Sequence, residues 1–348
     1  MQLSYNKNIN FLRFLFSVII IIFHIFHNNL FEIYGTLNEY KIFAANTSRA
    51  YMIVSFFFIL SGFYLYNTPF AKMSFLQFTW KKIVRLWPVF AVATILENLP
   101  NFSIDMIMRL LFLQCNGLSL QFQGINWFVS SLFWVLLFYC ALIKTIDKKY
   151  IFFVIGLLVY FCHVHIINHG FYREVKGTFS GGIIQGVGGV GLGYLFHELC
   201  QRIPESMLTK LKSKLFYIII SLCEAGLLYF LIYSFLIKNI AYKNNLIFII
   251  AFLPILFSFI FKLGFISKIL DNNLSYKLGL YSYAFYVVQQ TSFFFSRYII
   301  KKLTIENFYI GVSITLIVSL VLGFFIQYVV NLVQKQIQKT HEKQNKLK

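Results

Sequence analysis

The stretch Asn10–His27, NFLRFLFSVIIIIFHIFH, decides how the chain is read. At about 1.5 Å per residue, a helix over this stretch is long enough to cross a bilayer. Yet it carries Arg13, His24 and His27. Polar groups at membrane depth are costly, so by default they are functional candidates. Eleven positions separate Arg13 from His24. That is about three helical turns, which puts the two side chains on nearly one face and roughly 16 Å apart. One helix thus presents a permanent cation near one membrane face and an imidazole toward the other. A snorkelling arginine and an interfacial histidine would give the same pattern, so the rest of the chain has to decide.

Composition sets the frame. Of 348 residues, 59% are hydrophobic, 20% aromatic and only 12% charged, against about 25% charged in a soluble domain. With repeated long apolar runs, this is an integral membrane protein. A formal net charge of +19 would suggest nucleic acid in a soluble chain. Here it reads as a topology signal, because cytoplasmic loops accumulate Lys and Arg, and no nucleic-acid partner is expected. The first apolar run is followed by HNNLFEIYG, with no small-residue cleavage site, so no cleaved signal peptide is expected. Cys115, Cys140, Cys162, Cys200 and Cys223 form no CxxC pair and fall mostly in apolar runs, as packed free thiols do.

The expected fold is all-α, a polytopic transmembrane helical bundle of about ten spans. The spans fall near 9–27, 50–66, 83–99, 126–143, 150–166, 181–199, 215–236, 244–262, 274–296 and 308–333. With both termini cytoplasmic, the inner side holds 20 of the 31 Lys and Arg, or 21 with Arg13, and the outer side 10. That bias supports the orientation. One membrane domain covers 1–334, and a basic cytoplasmic tail, 335–348, meets solvent or lipid headgroups. The segment 28–49 is read as a patternless outer loop. DMIMRLLFL, within the outer segment 101–124, is read as a short interfacial helix.

Several stretches carry polar groups into the bundle. In SFFFILSGFYLY (Ser55–Tyr66), Ser61 and Gly62 are small enough for close helix packing. In WKKIVRLWPVF (Trp80–Phe90), Lys82 and Arg85 are neighbours on a helix. They read either as a positive-inside flank or as a phosphate-binding pair facing a cavity. INWFVSSLFW (Ile125–Trp134) offers Asn126 and Ser130 or Ser131 to a cavity, or only the belt aromatics Trp127 and Trp134. GVGGVG, within Gly181–Leu199, is a formal GxGxxG but lies inside an apolar span with no preceding strand. Its glycines read as packing surfaces. HVHIINH (His163–His169) has the wrong spacing and no acidic neighbours for a metal site, so no metal is expected. Glu224 needs a partner inside its span, with Arg13 and Arg85 as candidates. LSYKLGLYSYAFYVVQQTSFF (Leu274–Phe294) puts Tyr283 and Tyr286 on one side, with Gln289 and Gln290 deeper.

Taken in order, these stretches resemble integral-membrane acyltransferase family 3, bacterial proteins that mostly O-acetylate cell-surface sugars. The Arg and His of the family's first span match Arg13 and His24. Its FF-x-x-SGF-like pattern matches Phe57, Phe58, Ser61, Gly62 and Phe63. Its RxxRLxP-like element matches Lys82, Arg85, Leu86 and Pro88. Its W-[FY]-L-S-like opening matches Trp127, Phe128 and Ser130. Its late SYxxY-like element matches Ser282, Tyr283 and Tyr286. The resemblance runs from about residue 8 to 333. Lys82 replaces an Arg, Ser131 and Leu132 stand where many members carry a Glu, and Gln289 stands where many carry a His.

The resemblance implies a cytoplasmic acyl donor, usually acetyl-CoA, as co-substrate with no bound cofactor. It also implies a carbohydrate acceptor at the outer face and a multi-pass place in the bacterial cytoplasmic membrane. On that expectation His24 is the general base or a transient acyl carrier, and Arg13 serves catalysis beside it. Lys82 and Arg85 bind the donor phosphates. Ser61, Asn126, Trp127, Tyr283 and Tyr286 are candidates for substrate or oxyanion contacts. A transporter or flippase for lipid-linked saccharides competes, since ten spans and a basic inner face suit it too. The chain, however, shows no repeated half with broken spans in matching positions.

Overall fold

Lipid offers no partner to backbone N–H and C=O groups, and nearly every described segment satisfies them as helix. The computed structural model describes residues 6–99, 102–114, 125–169, 175–176, 179–237 and 246–346. The helices are α1 (Lys7–His24), α2 (Phe31–Tyr34), α3 (Asn38–Thr47), α4 (Ile53–Leu65), α5 (Phe75–Asn98), α6 (Ile104–Leu110), α7 (Trp127–Thr145) and α8 (Lys148–His169). They continue as α9 (Gly181–Gln201), α10 (Glu205–Leu211), α11 (Lys214–Ile232), α12 (Leu246–Phe261), α13 (Phe265–Ile269), α14 (Asn273–Val287), α15 (Gln289–Lys302) and α16 (Phe308–Lys346). Two-residue strands, β1 (Val175–Lys176) and β2 (Phe179–Ser180), pair antiparallel just before α9. π-helical turns extend α1 (Ile25–Asn29) and α11 (Tyr233–Ile237).

Six helical segments among the described residues are long and apolar enough to cross a membrane: Lys7–His27, Asn38–Leu65, Trp127–Thr145, Lys148–Asn168, Lys214–Ile237 and Phe308–Gln336. The other expected spans fall on α5, α9, α12 and α14–α15. α5 carries Lys81, Lys82, Arg85 and Glu97, α9 is diluted by glycine, and α12 has 16 residues. The span expected over 274–296 is two helices that meet at Val288. The segment 28–49, expected to be a patternless loop, contains α2 and α3. Phe43 stacks on Phe26, Phe308 packs against both, and the Tyr40 hydroxyl donates to the Phe26 carbonyl.

α9 is the glycine spine of one half of the bundle. A Cβ at Gly193 would overlap the Ile59 carbonyl, and one at Gly62 would overlap the Val190 carbonyl, so α4 and α9 touch backbone to backbone. Gly186 and Gly189 receive Phe58, Gly191 receives the Tyr139 hydroxyl, and Gly188 receives His163 of α8. This is the small-residue packing that GVGGVG announced. Phe16, Phe56 and Phe252 lock α1, α4 and α12 together edge to face, with centroids 4.6 to 5.7 Å apart. Such pairs add about 0.5–1.5 kcal/mol each beyond burial.

Glu224 is paired with neither arginine. From α11 its carboxylate accepts Ser258 Oγ at 2.5 Å and the backbone N–H groups of Ile266 and Ser267 at 2.9 and 3.1 Å. It therefore caps the N-terminus of α13, whose first N–H groups have no helical partner. Asn6 and Asn8 do the converse, donating to the last carbonyls of α12 at Ile260 and Phe259. At the opposite end, α6 doubles back along α5. Buried Arg109 pairs with Glu97 at 2.6 Å and Asp105 at 3.2 Å, while Trp87 Nε1 donates to the Leu110 carbonyl at 2.9 Å. The stretch expected to form a short helix does so, as α6, with Ile104, Ile107 and Leu111 exposed. Its arginine has a buried partner on α5, so the helix is drawn down α5 and its end is packed under Phe90.

Two substitutions check this framework. Gly193→Leu is expected to abolish the folded, monodisperse protein in detergent, because the obstruction is backbone. Glu224→Ala is expected to lower stability by about 3 kcal/mol through loss of charged hydrogen bonds, read as a fall in thermal midpoint. Activity per folded molecule should be unchanged.

Candidate active site

The helix pairings above bring α1, α4, α5, α7, α14 and α16 around one cavity of about 780 Å³. Its wall is apolar where α4 and α7 face it, through Phe57, Leu60, Phe128 and Leu132. Its lining also carries Arg13, Lys81, Lys82 and Arg85, and no Asp or Glu is among its described lining residues. Four cations with no counter-charge in the lining make a strongly positive pocket, where a multiply charged anion gains most from desolvated, directional hydrogen bonds. Lys82 Nζ lies 4.8 Å from the Phe78 ring centroid, and Arg13 Nη1 donates to Asn10 Oδ1 at 3.0 Å. The second is a contact within α1 that helical spacing of three positions produces.

Of the residues singled out in the sequence, Arg13, Ser61, Lys82, Arg85, Tyr283 and Tyr286 line this cavity. The hydroxyls are already donating. Tyr283 bonds the Leu86 carbonyl at 2.7 Å, Tyr286 the Ile125 carbonyl at 2.5 Å, and Ser61 the Phe57 carbonyl at 2.8 Å. These bonds fix α14 to α5 and to the start of α7. Donation to a substrate oxygen would require one of them to break, whereas each oxygen keeps acceptor capacity.

His24, Asn126 and Trp127 lie outside the cavity lining. His24 is buried at the end of α1, where the helix passes into its π-helical turn. Its Nδ1 faces Gln289 Oε1 at 2.6 Å. Asn126 Nδ2 donates to the Val287 carbonyl at 3.2 Å, at the junction of α14 and α15. Trp127 packs its ring over Gly182, where a Cβ would meet it. Ser130, read with Asn126 as cavity-facing, donates to the Phe112 carbonyl instead.

The two groups meet through a few residues. Tyr286 is on the cavity wall, its hydroxyl holds Ile125, and Asn126 next to it holds Val287. Two positions on, Gln289 meets His24. A cationic cavity and a buried imidazole therefore share the broken α14–α15 element, with Arg13 in the first half of α1 and His24 at its end.

Sequence reasoning noted Gln289 as a polar group deeper in its span and as a departure, but did not find its partner, since the pairing spans 265 positions. It also passed over Gln327 and Gln334 on α16, which line the cavity; the Gln334 amide donates to the Val84 carbonyl at 3.1 Å. Two glutamines in the second half of a long helix gave no signal of facing inward. No group of three His, Cys, Asp or Glu side chains converges among the described residues. Cys140, Cys162, Cys200 and Cys223 are free thiols, and Cys115 lies outside the described residues.

Comparison with curated proteins and with solved structures returned no match. A family model, acyltransferase family 3, described as an acyltransferase domain, matches residues 6–324. The match takes in α1 to α15 and the first part of α16, ending before the cavity-lining Gln327, Val330 and Gln334, and the chain belongs to this family of membrane acyltransferases.

Proposed function

We propose that the protein moves an acyl group, most simply acetyl, from cytoplasmic acyl-CoA to a hydroxyl of a cell-surface glycan or glycolipid, working in the bacterial cytoplasmic membrane. The observation that carries this reading is the cavity whose lining holds four cations and no carboxylate, joined through the α14–α15 break to a buried histidine. An acyl-CoA has the matching form, with clustered phosphates at one end and a slender, mostly uncharged thioester arm at the other.

In this mechanism Lys81, Lys82 and Arg85 of α5 hold the phosphates, with Arg13 of α1 lining the same cavity. The arm runs along Leu60, Phe128 and Leu132 toward Tyr286. His24 Nε2 takes the proton from the acceptor hydroxyl as its oxygen attacks the thioester carbonyl. The tetrahedral intermediate collapses with cleavage of the C–S bond, and the imidazolium returns the proton to the departing thiolate. Products are the sugar ester and free CoA. Arg13, about three helical turns from His24, places a fixed positive charge on the arm's path, where it holds the donor.

The test in cells is mass spectrometry of surface glycans with the gene intact, deleted, and restored as His24→Ala. Loss of the acetyl increment in the deletion and in the mutant, with membrane insertion intact, is the expected result. Unchanged acylation with altered amounts of exported polymer would replace this reading by transport of lipid-linked saccharides. In purified protein, Lys82→Ala and Arg85→Ala are each expected to raise KM for acyl-CoA about 10- to 100-fold, the loss of one charged hydrogen bond, with kcat little changed. Equal falls in kcat at constant KM would instead place these side chains at the reacting centre.

A further inference from the structure

Three of the described histidines can be compared by where Nδ1 goes. His27 donates to the Phe23 carbonyl at 2.9 Å, and His163 donates to the Val159 carbonyl at 2.7 Å. Each is bound to the turn four residues back in its own helix, as a histidine without another task does. His24 is bound across the bundle instead, to the Gln289 carboxamide oxygen at 2.6 Å. Gln289 is fully buried, and its amide nitrogen has no hydrogen-bond partner among the described residues.

That arrangement is costly as packing. A leucine would fill much of the same volume without burying an unpaired N–H. The local backbone is held so as to keep the amide in place. α14 stops at Val287, whose carbonyl is taken by Asn126, and α15 begins at Gln289 itself. Ser292 Oγ donates to the Gln289 carbonyl at 2.7 Å, and Thr291 Oγ1 ties the same turn to the Ala93 carbonyl at 3.1 Å. Opposite it, the π-helical turn Ile25–Asn29 begins directly after His24. Such turns inside α-helices often accompany functional sites.

We propose that Gln289 is the positioning residue of His24: its Oε1 accepts the Nδ1 proton, holding the ring across the α1–α15 contact in the tautomer that leaves Nε2 unprotonated. This deepens the acyl-transfer reading and rests on it for the catalytic consequence. The tautomer itself does not depend on that reading. With Nδ1–H committed to a carboxamide, the lone pair is presented at Nε2, the only ring atom left to take a proton from an acceptor hydroxyl. A neutral partner does this without burying a second charge beside the ring.

The experiment uses the full chain in lipid nanodiscs with 15N-labelled histidine, the His24 signals being assigned by their loss in His24→Asn. The wild type is expected to show a single tautomer protonated at Nδ1. Gln289→Leu is expected to lose that preference, and to lower kcat for acyl transfer by about 10- to 100-fold with the donor KM unchanged within about twofold. Gln289→Glu, which keeps an acceptor oxygen for Nδ1, is expected to restore the tautomer and much of the rate. A wild-type ring protonated at Nε2 would overturn the proposal, as would a Gln289→Leu protein with unchanged tautomer and kcat. If Gln289→Leu fails to fold, the wild-type spectrum and Gln289→Glu still decide. Failure of the acyl-transfer reading looks different: His24→Asn then transfers normally, or the wild type transfers nothing, whatever the tautomer.

Discussion

The close approach of α1 to α14 is the constraint on which the site depends. At Gly279 there is no room for a side chain, since a Cβ there would collide with Asn10. Three residues after Asn10 comes Arg13, on the cavity, and four after Gly279 comes Tyr283, on the same cavity. Farther along the same helix pair, His24 meets Gln289 just past the end of α14. One contact between two helices therefore fixes both the cationic end and the imidazole end of the site. Separation of α1 from α14 would dismantle both together, which no substitution confined to the cavity mouth could do.

Charge is distributed so that the costly groups are paired and the useful ones are kept together. Glu224 is compensated by a hydroxyl and two backbone N–H groups, and Arg109 by two carboxylates. Removing one partner of such a buried pair costs about 3–5 kcal/mol, because the other charge is left uncompensated. Those groups hold architecture: one the start of α13, the other the return of α6 along α5. The cavity cations line one space, with no carboxylate among its described lining residues. Their mutual repulsion is relieved by an anionic ligand, so these charges favour its binding.

Much of this was legible in the chain. Arg13, Lys82 and Arg85 could be picked out because a cation within or beside an apolar run has few structural explanations, and the structure gathers them on one cavity. The glycines of GVGGVG could be read as packing because their spacing places them along helix faces, and α4, α7 and α8 lie on them. What escaped was long-range. The partners of Glu224 are a serine and backbone amides 34 to 43 positions away, and nothing in SLCEAGLLYF distinguishes an N-cap from an ion pair. The break at Val288 has no Pro or Gly to announce it. It is held by Asn126, which donates to the Val287 carbonyl from outside the helix, and by Thr291 of α15, which donates to the Ala93 carbonyl of α5. Hydropathy smoothed α14 and α15 into one span, and the Gln289 side chain at the break could not be matched to His24.

The central claim is that donor and acceptor meet from opposite sides of the membrane, the donor by way of the cationic cavity and the acceptor by way of His24. The most direct measurement uses purified protein in sealed, unilamellar vesicles. Isotope-labelled acetyl-CoA is confined to the face bearing Lys82 and Arg85, and an acceptor oligosaccharide to the face bearing His24. The account predicts labelled sugar ester across an intact bilayer, with free CoA released on the donor side in equal amount. Ester formation only when both substrates share one compartment, or passage of the oligosaccharide without acylation, would contradict it.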